Sequence, residues 1–333
     1  MAVDRLAWVD ASKGICILLV VMFHATLHLV PSVGGGGIFD TVTRFSAPFR
    51  MPDFFLISGL FLSRRIRAPW VTYLDRKVVH FAYFYVLWML ITLAVLSPGL
   101  ASGLVTFLEA FGASFIAPKG PLWFIYCLPL CFLIARFTAP LPGIVVWLAA
   151  AGLHVFNVPG EPVMAGFLTH YFVFFYTGYL AAPMIFTLAE RAAAMPLVAL
   201  LGLGFWGVLN GAVVFGSVDA FPGLSLALGI VGGCAVAVIA ALLVRTRVGD
   251  GLIWLGARSI VVYLGFFIPL RVAEAYFLSL PGLPADAVIG LSIAAGVAVP
   301  LFLQALLSRL GFGGWLFERP HWARIDRPAA MPA

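Results

Sequence analysis

Residues 12–31 read SKGICILLVVMFHATLHLVP. From Gly14 to Val30 the stretch is almost wholly apolar, and with its flanks it is long enough for a bilayer, which takes about 20 helical residues. Its apolar core exceeds the 7–15 residues usual in a signal peptide, and no A-x-A cleavage site follows, so it reads as a retained first helix. His24 lies inside it. An ionisable side chain at that depth is costly, which makes it a functional-site hypothesis by default. Lys13 precedes His24 by 11 positions. At about 3.67 residues per turn, that spacing puts both on one helix face. A rise of 1.5 Å per residue sets them about 16 Å apart, a cation near the membrane surface and an imidazole near mid-bilayer.

The rest of the chain agrees with a membrane reading. Of 333 residues, 63% are hydrophobic and only 10% are charged, where soluble domains carry about 25% charged residues. A mean hydropathy of +1.08 and repeated apolar runs of bilayer length give an all-α, polytopic membrane protein. One transmembrane domain is expected over 1–333, with 310–333 as a basic tail on the inner surface. The net charge of +6 does not indicate a nucleic-acid partner, because the cations sit in short loops between apolar runs. Cys16, Cys127, Cys131 and Cys234 fall inside expected helices, without CxxC spacing, and read as small packing residues.

Ten spans are expected, at 12–31, 46–63, 78–97, 121–137, 141–156, 167–188, 196–216, 223–244, 255–279 and 286–309. The stretch 102–117, interrupted by Glu109 and Gly112, reads as an interfacial or re-entrant piece. With the N-terminus inside, all but four of the 20 Lys and Arg residues fall to the inner side, the exceptions being Arg44, Arg50, Lys119 and Arg271. That asymmetry predicts both termini in the cytoplasm. Gly34–Gly37 has neither GxGxxG nor Walker spacing and reads as a flexible outer loop.

The inner loop SRRIRAPWVTYLDRKVVHF places Arg64, Arg65, Arg67, Arg76 and Lys77 within 14 residues. Such a cluster satisfies the positive-inside rule with no ligand at all. It equally suits phosphate, for which Arg forks are well shaped, and hence a phosphate-bearing donor such as coenzyme A. On the outer side, Pro52 suits a helix first turn, Ser58-Gly59 allows close packing, and Arg50 and Asp53 flank the expected entrance. His28 stands one turn beyond His24, but the pair lacks a third ligand, so no metal site is expected. His154, Glu161 and His170 gather at outer helix ends, where they could line an acceptor cleft, although interfacial polar residues need no function. Arg271 and Glu274, at i,i+3, read as a structural ion pair.

Together these pieces resemble the acyltransferase-3 family of integral membrane acyltransferases. The first helix carries the family's Arg or Lys, ten residues, then His, here Lys13 to His24 within Trp8-Val-Asp10-Ala-Ser-Lys-Gly14. Met51-Pro-Asp-Phe-Phe-Leu-Ile-Ser-Gly59 resembles the family's MPLFFFISG, with Asp53 in place of an apolar residue. Arg64 and Arg67 have the family's RxxR spacing. Pro121-Leu-Trp123-Phe-Ile-Tyr126 resembles its LWFL stretch, and Ser259-Ile-Val-Val-Tyr263 its late SxxxY. Phe266 stands where a His often follows.

The resemblance implies about ten spans and a single transfer step. An acyl group, foremost acetyl, would pass from cytoplasmic acyl-CoA to a hydroxyl of a sugar in a surface glycan or lipid-linked precursor at the cell inner membrane. It implies His24 and Lys13 as the catalytic unit, with His24 acting as general base or covalent acyl carrier. Arg64, Arg67, Arg76 and Lys77 would hold the acyl-CoA, and Arg50, Asp53, His28 and Trp123 the acceptor. Two other readings stay open. One is a transporter or flippase with His24 as proton relay. The other is a non-catalytic membrane component of a glycan-assembly complex.

Overall fold

The computed structural model describes residues 6–35, 37–96, 103–118, 120–156, 163–216, 221 and 223–326. The described residues form helices and turns and include no strand. Apolar runs of this composition fold so because a helix satisfies every backbone group internally, as the hydrocarbon requires.

The first helix, α1 (Ala7–Val33), is the expected one, extended at both ends. Gly34 closes it in the left-handed conformation at φ +75°, the usual use of glycine after a helix C-terminus. The glycine run expected as a flexible loop is instead a short break, since α2 (Gly37–Ser46) begins within it. Then come α3 (Arg50–Gly59) and α4 (Trp70–Leu74), the latter continuing through a π-helical turn over Asp75–Val79 into α5 (His80–Leu96). They are followed by α6 (Leu104–Ala113), α7 (Trp123–Phe137), α8 (Gly143–Val155), α9 (Val163–Leu180) and α10 (Ala182–Ala194). The last third holds α11 (Pro196–Phe215), α12 (Leu224–Leu243), α13 (Arg247–Gly256), α14 (Ser259–Gly265), α15 (Phe267–Leu278) and α16 (Ala285–Leu310).

Six of these helical segments are long and apolar enough to cross a membrane, or eight when two bent pairs each count as one span. The bent pairs are α9 with α10, at 70°, and α13 with α14, at 61°. The stretch expected as a span over 46–63 contributes only the 10 residues of α3, about 15 Å of rise against a hydrocarbon core of about 30 Å. The one over 141–156 contributes the 13 residues of α8. The one over 255–279 is broken at Phe266. Pro269 accounts for that break, since it cannot donate to the carbonyl four residues back. The interfacial reading of 102–117 corresponds to α6, which buries no residue and is too short to span.

α1 is the hub. It packs against α13 most extensively and also touches α2, α3, α12, α14, α15 and α16. Its crossing with α13 rests on two glycines: a Cβ added at Gly14 would strike the Leu252 carbonyl, and one at Gly256 the Asp10 carbonyl. The crossing of α3 with α9 repeats the device, with Gly59 against the Phe175 carbonyl and Gly178 against that of Leu56. Without a hydrophobic driving force between helices in lipid, such close backbone approach is what holds them together.

The tail folds back on the helix that bears the π turn. Arg319 donates to both the carbonyl and the carboxylate of Asp75, at 2.8 and 2.5 Å, and the Ile325 N–H donates to the other carboxylate oxygen at 2.7 Å. The Trp88 indole N–H donates to the Leu316 carbonyl. Two faces of the bundle are therefore named by α1: the Leu6 face, where the tail lies, and the Gly34 face opposite. Arg5, Lys119, Glu161 and Arg327 lie outside the described residues.

Candidate functional site

At the Leu6 face a cavity of about 250 Å³ opens between α1, α3, the π turn, α7 and α14. Its polar lining consists of Lys13, Lys77, Ser58, Ser259 and Tyr263, and phenylalanines supply much of the rest. A second cavity, of about 420 Å³, shares Lys13, Phe61, Phe81, Ser259 and Ile260 with it and reaches Leu6 and Asp10. The two form one vestibule with Lys13 on the common wall. Lys13 is ion-paired with Asp10 one turn earlier, at 3.1 Å, which leaves its ammonium at the helix surface beside the cavity. The Asp10 partner lies in the family-like opening, but nothing in the spacing marks it out as a counter-ion.

The four cations expected for the donor part company. Lys77 enters the cavity, its ammonium 4.4 Å from the centre of the Phe132 ring. Arg64 is exposed and lies over Phe61, a residue of the cavity wall, at 5.6 Å. Arg67 and Arg76 are exposed and line neither cavity. Arg136, which the spacing did not single out, fastens the loop by donating to the Ala68 carbonyl and stacking over Trp70 and Tyr73.

His24 faces the same neighbour as Lys13. Ser259 and Ile260, at the start of α14, stand with Lys13 around the vestibule. At the far end of that segment, the rings of Phe266 and Phe267 lie 5.3 and 5.8 Å from His24. The segment 259–267 thus runs beside α1 from the cation to the imidazole. Tyr263, in the cavity wall, donates to the Pro121 carbonyl and precedes Phe266 by about one helical turn.

Beyond His24 lies a second set of polar groups. His28 is 6.4 Å from His24, ring to ring, and its Nδ1 is 3.5 Å from Glu274. Glu274 is buried and pairs with Arg271 at 2.5 Å. The expected Arg271–Glu274 pair is present and also reaches the first helix, which i,i+3 spacing on α15 alone does not reveal.

Arg50 and Asp53 do not flank an entrance. Both are buried, on the face of α3 that packs on α1. Arg50 donates to the Thr43 carbonyl and stacks on Phe23, beside His24, at 4.0 Å. Asp53 accepts from the Cys16 thiol, so Cys16 is a hydrogen-bond donor as well as a packing residue. The reason is that α3 is enclosed on all sides, by α1, α9 and α12, so that none of its residues is exposed. Trp123 stacks on Phe167 at 4.2 Å and lies 5.2 Å from Tyr171, in an aromatic cluster with Phe55 and Phe124.

The arrangement can bind an anion beside the Leu6 face and present a group inward to an imidazole held among aromatic rings. Comparison with known proteins bears on what that group is. The Escherichia coli K12 "Inner membrane protein YcfT" is similar over 81 residues at 33% identity, a match covering 21% of this chain and 23% of that protein. This chain therefore matches under a quarter of the curated relative's length. No solved structure matches it significantly. A family profile described as "Acyltransferase domain" matches residues 6–303, nearly the whole described fold, and this multi-pass membrane protein accordingly belongs to the acyltransferase-3 family.

Proposed function

We propose that this protein transfers an acyl group, foremost acetyl, from acyl-CoA bound at the Leu6 face to a hydroxyl acceptor that arrives from the Gly34 face. The Leu6 face is assigned to the cytoplasm and the Gly34 face to the outside, with both termini inside, by the cation asymmetry of the sequence. YcfT's description as an inner membrane protein supports placement in the cell inner membrane. The acceptor class is a sugar hydroxyl in a surface glycan or lipid-linked precursor, as the family implies, so that the process is O-acetylation of a polysaccharide.

The observation that carries this reading is the vestibule that both Lys13 and Lys77 line, near the start of the helix that bears His24. Ammonium groups in a partly enclosed, low-dielectric site attract phosphate more strongly than the exposed arginines do. The phosphates of the donor stay at that mouth because a charge does not cross the apolar layer. The uncharged pantetheine arm enters between α1 and α14, along the side shared by Lys13 and His24. The thioester meets His24, which takes the proton of the acceptor hydroxyl as it attacks, or receives the acyl group itself. Arg50, on the adjacent Phe23, lies where positive charge would favour a developing oxyanion. Glu274 stands 3.5 Å from His28 Nδ1 on the acceptor side, as a counter-charge to that imidazole.

The test is direct. Purified protein in lipid nanodiscs receives radiolabelled acetyl-CoA and a glycan acceptor, and label in the glycan is counted. His24→Gln preserves size and hydrogen bonding but cannot take a proton at neutral pH, and it should lose about 10²- to 10⁴-fold in rate. Transfer by His24→Gln at the wild-type rate would remove His24 from the chemistry, and no transfer by the wild-type protein would return it to the scaffold reading.

A further inference from the structure

A second hydrogen-bonded chain lies at the Gly34 face, away from the path just described. His154 of α8 is buried, 4% exposed. Its Nδ1 is 2.7 Å from the carbonyl oxygen of His170 in α9, and its Nε2 is 2.9 Å from Ser225 Oγ in α12. A carbonyl only accepts, so Nδ1 carries the hydrogen. In the neutral ring, Nε2 is then the acceptor, and the Ser225 hydroxyl donates to it. The ring is wedged between the His170 ring at 4.3 Å and the edge of Phe174 at 5.2 Å, which fixes its orientation. Ser225 itself is exposed. It stands in the first turn of α12, two residues after Gly223, where the partial positive charge of a 20-residue helix is concentrated.

A hydroxyl donating to an imidazole whose other nitrogen is held by a fixed acceptor is the arrangement that activates a serine nucleophile. Here the base is buried, and the residue that bears the hydroxyl is exposed. We propose that Ser225 and His154 form a second acyl-transfer centre, which takes short-chain acyl esters at the Gly34 face. Ser225 Oγ attacks the ester carbonyl as its proton passes to His154 Nε2. The bond from the carbonyl carbon to the ester oxygen breaks, and the alcohol leaves with the proton from Nε2. Water, or the hydroxyl of a second alcohol, then attacks the acyl-serine and gives its proton to Nε2. The acid or the new ester departs, and Ser225 recovers its proton. The step uses neither coenzyme A nor the vestibule, so it stands or falls independently of the donor path.

The experiment uses the full-length protein, purified in detergent, with no acyl-CoA present. A fluorophosphonate probe should add once, and peptide mapping should place the adduct on Ser225. Hydrolysis of 4-nitrophenyl acetate should be saturable and be blocked by that adduct. Ser225→Ala should lose the adduct and the saturable hydrolysis, and any imidazole-catalysed background measured in that variant is subtracted. His154→Gln should label at least about 100-fold more slowly, the lower end of what a general base contributes. Absence of an adduct at Ser225 in the wild-type protein would overturn the proposal and leave the serine as a fastening between α8, α9 and α12. Labelling of a folded His154→Gln at the wild-type rate would overturn it equally. The wild-type result decides the matter even where His154→Gln does not fold.

Discussion

Lys77→Gln separates a donor site from a topological cluster of cations. The substitution keeps most of the side-chain length and removes the charge. Lys77 lines the vestibule together with Lys13, whereas Arg67 and Arg76 are exposed and line neither cavity. If the ammonium binds a donor phosphate, its loss removes a charge-assisted hydrogen bond, about 1.5–3 kcal/mol. At 1.4 kcal/mol per decade, the KM for acyl-CoA should rise about 10- to 150-fold. The same change at Arg67 or Arg76 removes an exposed charge, which contributes at most about 1 kcal/mol, or about 5-fold. Salt provides a second axis. At 1 M salt the screening length falls to about 3 Å, so the Arg67 and Arg76 effects should vanish while the Lys77 effect persists. The assay is acyl-CoA consumption against donor concentration, in low and high salt, on protein whose detergent-solubilised yield matches wild type. An unchanged donor KM in Lys77→Gln, or a larger effect from Arg76→Gln, would refute the argument from the cavity.

The two paired-glycine crossings should be intolerant of any side chain. Gly256→Ala should lower the thermal unfolding midpoint in detergent by the equivalent of about 1–3 kcal/mol or more, whereas Gly251→Ala, which meets open space on the same helix, should be neutral or stabilising. Asp75→Ala should strand Arg319, whose side chain is only 7% exposed. Breaking a buried pair in this way costs about 3–5 kcal/mol, and limited proteolysis should then cut the tail near Trp322, which it spares in wild type. Glu274→Gln should slow transfer with little change in donor KM, because Glu274 meets His28 and not the vestibule. Reporter fusions after Ser32, Arg67 and the C-terminus should read outside, inside and inside, and an outside C-terminus would reject the placement of both termini inside.

What the sequence made legible follows from what hydropathy and periodicity encode. The first helix could be read with its two chemical residues because a single uninterrupted apolar run carries its own phase. Lys13 and His24 do lie along one neighbour, the segment 259–267. The bends were harder. Ala181 separates two apolar arms, and a hydropathy profile does not register a change of direction. Pro183, near the start of α10, was the local sign of a new helix. The choice of Lys77 among five cations was not readable at all. A π turn inserts one residue into the helix, so it resets the phase of Arg76 and Lys77 relative to everything after His80. Arg50 and Asp53 were legible as charged residues but not as buried ones, because the enclosure of a 10-residue helix depends on its neighbours.

The separation of the two ends is itself a mechanistic constraint. A donor bearing several phosphates and an acceptor bearing many hydroxyls are both excluded from hydrocarbon, at several kcal/mol for each unpaired polar group. Neither can travel to the other's surface, so the reacting atoms must meet where each molecule extends its least polar part. In the proposed reaction the thioester end of a long uncharged arm reaches inward from the Leu6 face, and a single hydroxyl reaches inward from the Gly34 face. Their meeting point needs a group that moves a proton and is tolerated without a permanent charge, and a neutral imidazole is the one common side chain that does both near pH 7. His24 has that position on α1. Phe23, Phe266 and Phe267 surround it. Lys13 holds one end of the same helix face, and the Glu274–His28 pair stands one turn further on. His24 itself is half-buried, so in the proposed reaction these rings narrow the access of water to a thioester held there. Phe266, fully buried, packs its ring 5.3 Å from that of His24 and fixes the imidazole from the side of α14.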